Sequence, residues 1–276
     1  MRNTWAVCKR EFASYFYTPV GYVVVGMVTL IAGIGFTASF LTYSDMSQAP
    51  HNYGYGSVPD FEETLLSPFL VFCGMLLMFV SPLITMRLLA EERNRGTIEL
   101  LLTLPLRDRE IIFGKFAAAV GMICLILLLL GVEMAIVAWF VDIEWIVLIF
   151  GLFTVLLMSM AFLSIGLFVS SITRNQITSG AITFGVCLLL YVAGRFAEDL
   201  PVENPAPENV PGFLATLIGG AYGVFRGFAN ELSLDRHARE MAQGFVAPAD
   251  VLYYILVTAF FLFLTFRALE SRHWRG

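Results

Sequence analysis

Charge is scarce in this chain. Only 14% of its 276 residues are charged, where a soluble domain carries about a quarter. Hydrophobic residues make up 58%, and mean hydropathy is +0.77. That balance excludes an ordinary soluble enzyme and points to a polytopic membrane protein. A net charge of −5 argues against nucleic acid as a partner. The motifs of an energy-converting or hydrolytic centre are missing too. Gly114-Lys115 is followed by Phe116 and lacks the glycine five residues earlier, so it is not a Walker A loop. There is no H-E-x-x-H, no G-x-S-x-G and no zinc spacing. The four cysteines, Cys8, Cys73, Cys124 and Cys187, form no C-x-x-C pair. Three of them lie in apolar runs, where cysteine behaves as a small hydrophobe, so neither a disulfide nor a metal is expected. His51, His237 and His273 are scattered over loops and tail and are expected to be solvated. No catalytic residue, cofactor or metal ligand is therefore assigned, and energy must come from a gradient or a partner chain.

What is present is apolar length. A helix needs about 20 residues to cross the hydrocarbon core. Six runs qualify: 20–42, 65–87, 114–140, 146–171, 177–194 and 250–267. The first is too long for the core of a cleavable signal and has no A-x-A site, so it reads as a retained span. Orientation follows from the basic residues. Arg2, Lys9, Arg10, Arg87, Arg93, Arg95, Arg107, Arg109, Lys115, Arg174, Arg267, Arg272 and Arg275 would share one face of the membrane. The other face holds Arg195, Arg226, Arg236 and Arg239, all in one loop. The positive-inside bias puts both termini in the cytoplasm.

Three segments lie outside the spans. Residues 2–17 place Trp5, Cys8, Phe12 and Tyr15 at helical spacing among polar neighbours, the pattern of an interfacial elbow helix. Pro19 then turns the chain into the first span. The extracytoplasmic loop 195–248 opens with a proline-rich linker. The apolar stretch Phe213 to Phe225 reads as a re-entrant or interfacial element, because a crossing there would invert the basic tail. Beyond it, Leu234, Ala238, Met241 and Phe245 share one helical face. The expected fold class is thus all-α, with six spans, an elbow helix and outer re-entrant or interfacial helices between spans five and six.

The third segment, "ERNRGTIELLLTLPLRDRE", separates spans two and three. Gly96 permits a sharp turn, Thr97 suits a helix cap, Glu99 suits a first turn, and Pro105 stops the helix. Residues 98–104 would make about 10 Å of helix, too short to cross a bilayer. Bracketed by charge, the patch Ile98, Leu100, Leu101, Leu102 and Leu104 must bury against this protein's helix ends or against another protein. One polar residue lies inside a span. Glu133 is about 27 Å of helix beyond Lys115, near the far interface, and reads as an intramembrane polar site or an interhelical acid. Gly166 and Ser170 suit close helix packing.

The stretch "MRLLAEERNRGTIELLLTLPLRDREIIFGK" resembles the hallmark of ABC-2 type permeases, the membrane subunits of type V ABC exporters. It has the acid pair Glu91-Glu92, Gly96-Thr97, Glu99, Leu101, Pro105, and Ile111 leading to Gly114-Lys115. "CKREFASYFYTPVGY" resembles that family's elbow helix, and "GFVAPADVLYYILVTAFFLFLTFRALESRHW" resembles the end of the gliding-motility (GldF-like) branch. The resemblance implies a single domain whose segment 91–112 couples to a separate ATPase. Its ATPase-coupling residues would be Glu91, Glu92, Arg93, Gly96, Thr97, Ile98, Glu99, Leu100, Leu101, Leu102, Leu104 and Pro105. It further implies ATP and magnesium held by partner ATPase subunits, and a second permease half, identical or related. An accessory membrane protein with an extracytoplasmic domain and residence in a bacterial cytoplasmic membrane, among its lipids, are implied as well. Two readings stand for function: export or extraction of a substrate, or relay of ATPase motion to an extracytoplasmic partner without transport. An ion-coupled carrier would want paired acids or broken helices at mid-membrane, and Glu133 is a single shallow acid.

Overall fold

The computed structural model describes residues 2–54, 58–94, 96, 107–139, 144–201, 212–231, 233–242 and 247–273. These residues are nearly all helical, and no strand occurs among them. The helices are α1 (Arg2–Tyr17), α2 (Pro19–Gln48), α3 (Ser67–Thr85), α4 (Ala90–Asn94), α5 (Asp108–Val137), α6 (Trp145–Ile172), α7 (Gln176–Asp199), α8 (Gly212–Glu231), α9 (Leu234–Ala242) and α10 (Pro248–His273). Six helical stretches are long and apolar enough to cross a membrane: Pro19–Gln48, Glu62–Asn94, Asp108–Val137, Trp145–Ile172, Gln176–Gly194 and Pro248–Ser271. The protein is an all-α polytopic membrane protein.

Local chemistry sets the ends of these helices. Thr18 is extended, as a residue before proline must be, and Pro19 opens α2 at a position whose N–H needs no partner. With 30 residues, α2 is about 45 Å long, well beyond a hydrocarbon core of about 30 Å. Its polar far end stays helical because hydroxyls fold back on the backbone. Thr42 donates to the Ala38 carbonyl at 3.0 Å and Ser47 to the Tyr43 carbonyl at 2.8 Å. A turn at Pro50–Tyr53 closes on Gly54, at φ 82°.

The second span is continuous in hydropathy but broken in backbone. A π turn, Glu62–Leu66, leads into α3, which contains Pro82 and stops at Thr85. Pro82 has no N–H to offer the Met78 carbonyl. The Ser81 hydroxyl supplies the missing donor at 3.2 Å, and the Thr85 hydroxyl donates to the Ser81 carbonyl at 2.8 Å. The chain then turns through residues 86–89 before α4.

The bundle is organised around α6, which packs against α3, α5, α7, α9 and α10. In the most apolar windows of α6 and of the second span, 61% of residues are buried, against 11% for α2. The first span is therefore peripheral in the monomer and the fourth is the axis. Small residues make the axis possible. A Cβ on Gly166 would come within 2.7 Å of Thr85 Cβ, so only glycine lets α3 and α6 approach this closely.

Helices α1, α8 and α9 refine the sequence reading. In α1 the side turned to the bundle carries Val7, Glu11 and Tyr15, while Trp5 is exposed. The aromatic pattern was a true helix signal, but Trp5 is not on the packed face. Leu234, Ala238 and Met241 of α9 are buried against α6 and α7 residues, as their spacing required; Phe245 lies outside the described residues. Ala238 sits with Leu70 and Gly74 of α3 and with Thr154 and Met158 of α6. That places α9 about 14 to 20 Å along α6 from Trp145, sunk between the spans. The apolar stretch from Phe213 forms α8, which packs on α7 and leaves Phe213, Leu217, Val224 and Phe228 exposed.

Candidate functional site

The residues flanking the segment between spans two and three converge at one end of the bundle. Lys115, in the second turn of α5, is 1% exposed. A buried ammonium is tolerated only when paired and hydrogen-bonded. Its Nζ donates to Glu92 Oε1 at 2.8 Å and lies 3.2 Å from Glu11 Oε1. Arg10 adds a second cation, 2.7 Å from Glu11 and 3.8 Å from Glu92. Three elements meet here: the elbow through Glu11, α4 through Glu92 and α5 through Lys115. Burial works to raise the Glu11 carboxyl pKa. The Lys115 ammonium and the Arg10 guanidinium outweigh it, so the carboxyl titrates below its ordinary value.

The elbow lies this close because of its neighbour's missing side chain. A Cβ on Gly114 would sit 2.7 Å from Val7 Cβ and 3.0 Å from the Thr4 carbonyl oxygen. Gly114 thus makes the groove that seats α1, and Lys115 reaches from the next position to lock it. Asn3 adds a tether, donating to both Glu110 oxygens at 3.2 and 3.3 Å. Glu110 also accepts from the Arg107 N–H at 3.1 Å, so one carboxylate caps α5 and holds the elbow's start.

On the other side, α4 is stapled to the end of α6. Ser170 Oγ accepts from the N–H groups of Leu89 at 3.1 Å and Ala90 at 3.0 Å, donors that a helix start leaves unsatisfied. Arg93 Nη1 donates to the carbonyls of Ser171 at 3.1 Å and Thr173 at 3.0 Å. Those carbonyls close α6, where a cation also meets the negative end of the helix dipole. Gly96 takes φ 68°, the left-handed turn its composition permits. Thr97, Ile98, Glu99, Leu100, Leu101, Leu102, Leu104 and Pro105 lie outside the described residues. Of the assigned flanks, Glu92 meets Lys115, Arg93 grips the end of α6, Gly96 donates its N–H to the Arg93 carbonyl at 3.3 Å, and Glu91 lines a cavity beside them.

The model of one protein family, described as ABC-2 family transporter protein, matches residues 5–274. The chain belongs to the ABC-2 transporter family. It is the membrane-embedded permease component of an ABC transporter and works with ABC ATPase subunits; it is not the ATPase itself. No curated protein matches it.

Elsewhere in this ABC-2 permease, Glu133 stands apart from the joint, near the other end of α5. Its Oε1 points toward Gly33 of α2, and its Oε2 is buried without a hydrogen-bond partner among the described residues. No group of three or more His, Cys, Asp and Glu side chains converges on a metal-sized site among the described residues.

Sequence reading missed two features of the permease. Lys115 stood at the start of an apolar run, where a lysine ordinarily reaches for water, and only the acid pair at the previous span's end hinted at a partner. His237 is a correction. It was expected in solvent, yet its side chain is 14% exposed, with Nδ1 2.6 Å from Asp250 Oδ1. Its ring stacks on Tyr253 with centroids 4.2 Å apart. The pair joins α9 to the first turn of α10, and the Tyr254 hydroxyl reinforces it by donating to the Leu234 carbonyl at 2.6 Å.

Proposed function

We propose that this permease subunit receives mechanical work from a separate ATPase through residues 91–112 and uses it to export or extract a substrate. The observation that carries the reading is the Lys115–Glu92 contact at 2.8 Å. It bridges the two flanks of the segment, so a push on residues 98–104 cannot move one span alone. Force entering there would reach the elbow through Glu11, α6 through Arg93 and Ser170, and α5 through Lys115. In this reading the partner ATPases hold ATP and magnesium. The apolar patch seats in a groove of one ATPase, and a second permease half completes the path. Both termini face the cytoplasm of a bacterium, as the basic residues favour. The end of the chain supports placement in the gliding-motility-like branch, with an accessory extracytoplasmic partner.

Leu101→Asp in the assembled complex tests the coupling assignment. An unpaired charge in a packed interface costs about 2–5 kcal/mol. The ATPase should dissociate or lose coupled activity while the permease still inserts. Unchanged co-purification together with unchanged coupled activity would sink the assignment. Reconstituted complex then separates the two roles. ATPase stimulation by candidate substrates or lipids in the vesicle supports transport; stimulation only by an extracytoplasmic protein supports force relay.

A further inference from the structure

Glu133 has no part in the ionic joint, the helix caps or the α9 clasp. It lies on the flank of α5 that meets α2. Its Oε1 is 3.9 Å from the point a Cβ on Gly33 would occupy. With Pro19 at the membrane face, Gly33 is about 21 Å along α2, inside a hydrocarbon core of about 30 Å. The Glu133 backbone is farther out. A helical side chain leans toward its helix's N-terminus, here the Lys115 end, which brings the carboxyl back toward the level of Gly33.

No cation answers this acid. Helix α5 packs against α1, α2, α6 and α10. Neither α2 nor α6 contains a Lys, Arg or His, and α3 contains none either. The elbow and α10 meet α5 at its other end, through Val7 on Gly114 and Phe266 on Phe113. The Cys73 thiol of α3 is within electrostatic reach, but a thiol offers no positive charge. Hydrogen-bond donors fail as well. The Thr37 hydroxyl is spent on the Gly33 carbonyl at 2.8 Å. Thr29, one turn before Gly33 on the same face, has a buried hydroxyl oxygen with no partner among the described residues, and Glu133 Oε2 is in the same state. A carboxylate here would be a buried charge with neither ion pair nor donor, an arrangement that membrane proteins avoid.

Three ligands could relieve it: a metal ion, a basic side chain of another chain, or a proton. A metal needs several further ligands, and no group of three or more His, Cys, Asp and Glu converges there among the described residues. A basic side chain cannot reach Oε2, which is closed even to water. A proton needs no room. We infer that Glu133 is a proton-binding site: its carboxyl sits between α2 and α5 as a neutral acid at neutral pH, and that proton keeps α2 seated on the bundle. Only 11% of the most apolar window of α2 is buried, the least of the six spans, so α2 is the span that loss of the proton would loosen. The inference does not depend on the coupling reading.

Infrared spectroscopy of the full chain in phospholipid nanodiscs tests it. At neutral pH, where exposed acids are ionised, the wild type should show the C=O stretch of a protonated carboxyl, and Glu133→Gln should lack it. Hydrogen exchange on the same samples reads the link to α2. Stability that depends on a bound proton is lost as pH rises. Protection of α2, corrected for intrinsic exchange, should therefore fall severalfold from neutral to alkaline pH in the wild type and stay flat in Glu133→Gln. Dicyclohexylcarbodiimide gives a third readout: the acid O–H adds across one C=N bond, and the acyl group then moves from oxygen to nitrogen with nothing released. The adduct should map to Glu133, and it decides the matter if Glu133→Gln does not fold. A carboxyl region identical in wild type and variant, or, without a folded variant, no adduct at Glu133, would overturn the proton site. Protection of α2 that does not fall in the wild type, or falls equally in the variant, would overturn its link to α2.

Discussion

Where α4 meets α5 the bundle is fastened by ions, and where α9 meets α10 it is fastened by rings and a hydroxyl. At the first end, Lys115 is shared by Glu11 and Glu92, and Arg93 grips the end of α6. At the second, His237 stacks on Tyr253, pairs with Asp250, and is backed by fully buried Tyr254. The chemistry fits the surroundings. The α4–α5 joint is built from helix ends, which expose unpaired N–H and C=O groups and favour charged partners. The α9 clasp is sunk along α6, where His237 Nδ1 and Asp250 Oδ1 meet each other while His237 Nε2 and Asp250 Oδ2 are buried without a hydrogen-bond partner among the described residues. The comparison predicts that breaking one fastening leaves the other intact.

The largest effect is expected from Lys115→Met. It keeps much of the side-chain volume but leaves Glu11 and Glu92 facing each other with only Arg10, whose side chain is 56% exposed, between them. Breaking a buried pair this way costs about 3 kcal/mol or more. Hydrogen exchange should rise in α1 and α4 and stay unchanged in α9. Equal loss of protection at both ends would mean that the bundle is one cooperative unit and the comparison is wrong.

Much of this architecture was legible beforehand, for a plain reason. Apolar runs that must cross a bilayer have few alternatives, so the six spans emerged close to their final helices. Where they differ, hydrogen bonding decides. α5 starts at Asp108 because Glu110 caps it, and α2 runs on to Gln48 because Thr42 and Ser47 return their hydroxyls to the backbone. Glu92, Arg93 and Gly96 stood out in the sequence as flanks of residues 98–104, but what Glu92 and Arg93 grip did not. Ser170 read only as a small packing residue, yet it caps α4 from another span. Pairings between distant helices, such as Lys115 with Glu11 or His237 with Asp250, leave no periodic trace, because neither partner predicts the other's position.

Gly114→Val probes the ionic end sterically instead of electrically. Its Cβ would already crowd Val7 and the Thr4 carbonyl, and backbone there cannot swing aside. Overpacking of this kind costs about 1–3 kcal/mol. The elbow should detach while Lys115 and Glu92 remain paired, so α1 loses protection and α4 keeps it. Loss in both would show that seating the elbow and bridging α4 to α5 are a single event. At the other end, Tyr254→Phe removes the donor to the Leu234 carbonyl in a fully buried site. The Leu234 carbonyl keeps its helical donor, so the loss is that of one buried hydrogen bond, about 0.5–1.5 kcal/mol. Exchange should rise in α9 alone. Unchanged protection there would show that the His237–Asp250 pair carries the clasp without it.

The smallest effect is a titration that only the ionic end should show in α1. Glu11 is charged in the joint, and its cationic neighbours hold its pKa below the ordinary carboxylate value of 4.5. The folded pKa is therefore lower than the unfolded one. Its contribution to elbow docking is fully present above the unfolded value and is lost as pH falls through the folded one. Protection of α1, corrected for intrinsic exchange, should be flat near neutrality and decline once pH falls below the ordinary carboxylate value of 4.5. In Glu11→Gln the elbow should start less protected and lose most of that slope. A slope identical in wild type and Glu11→Gln would mean that Lys115 holds the elbow through Gly114's groove and Glu92 alone, and that Glu11 is a bystander to the joint it touches.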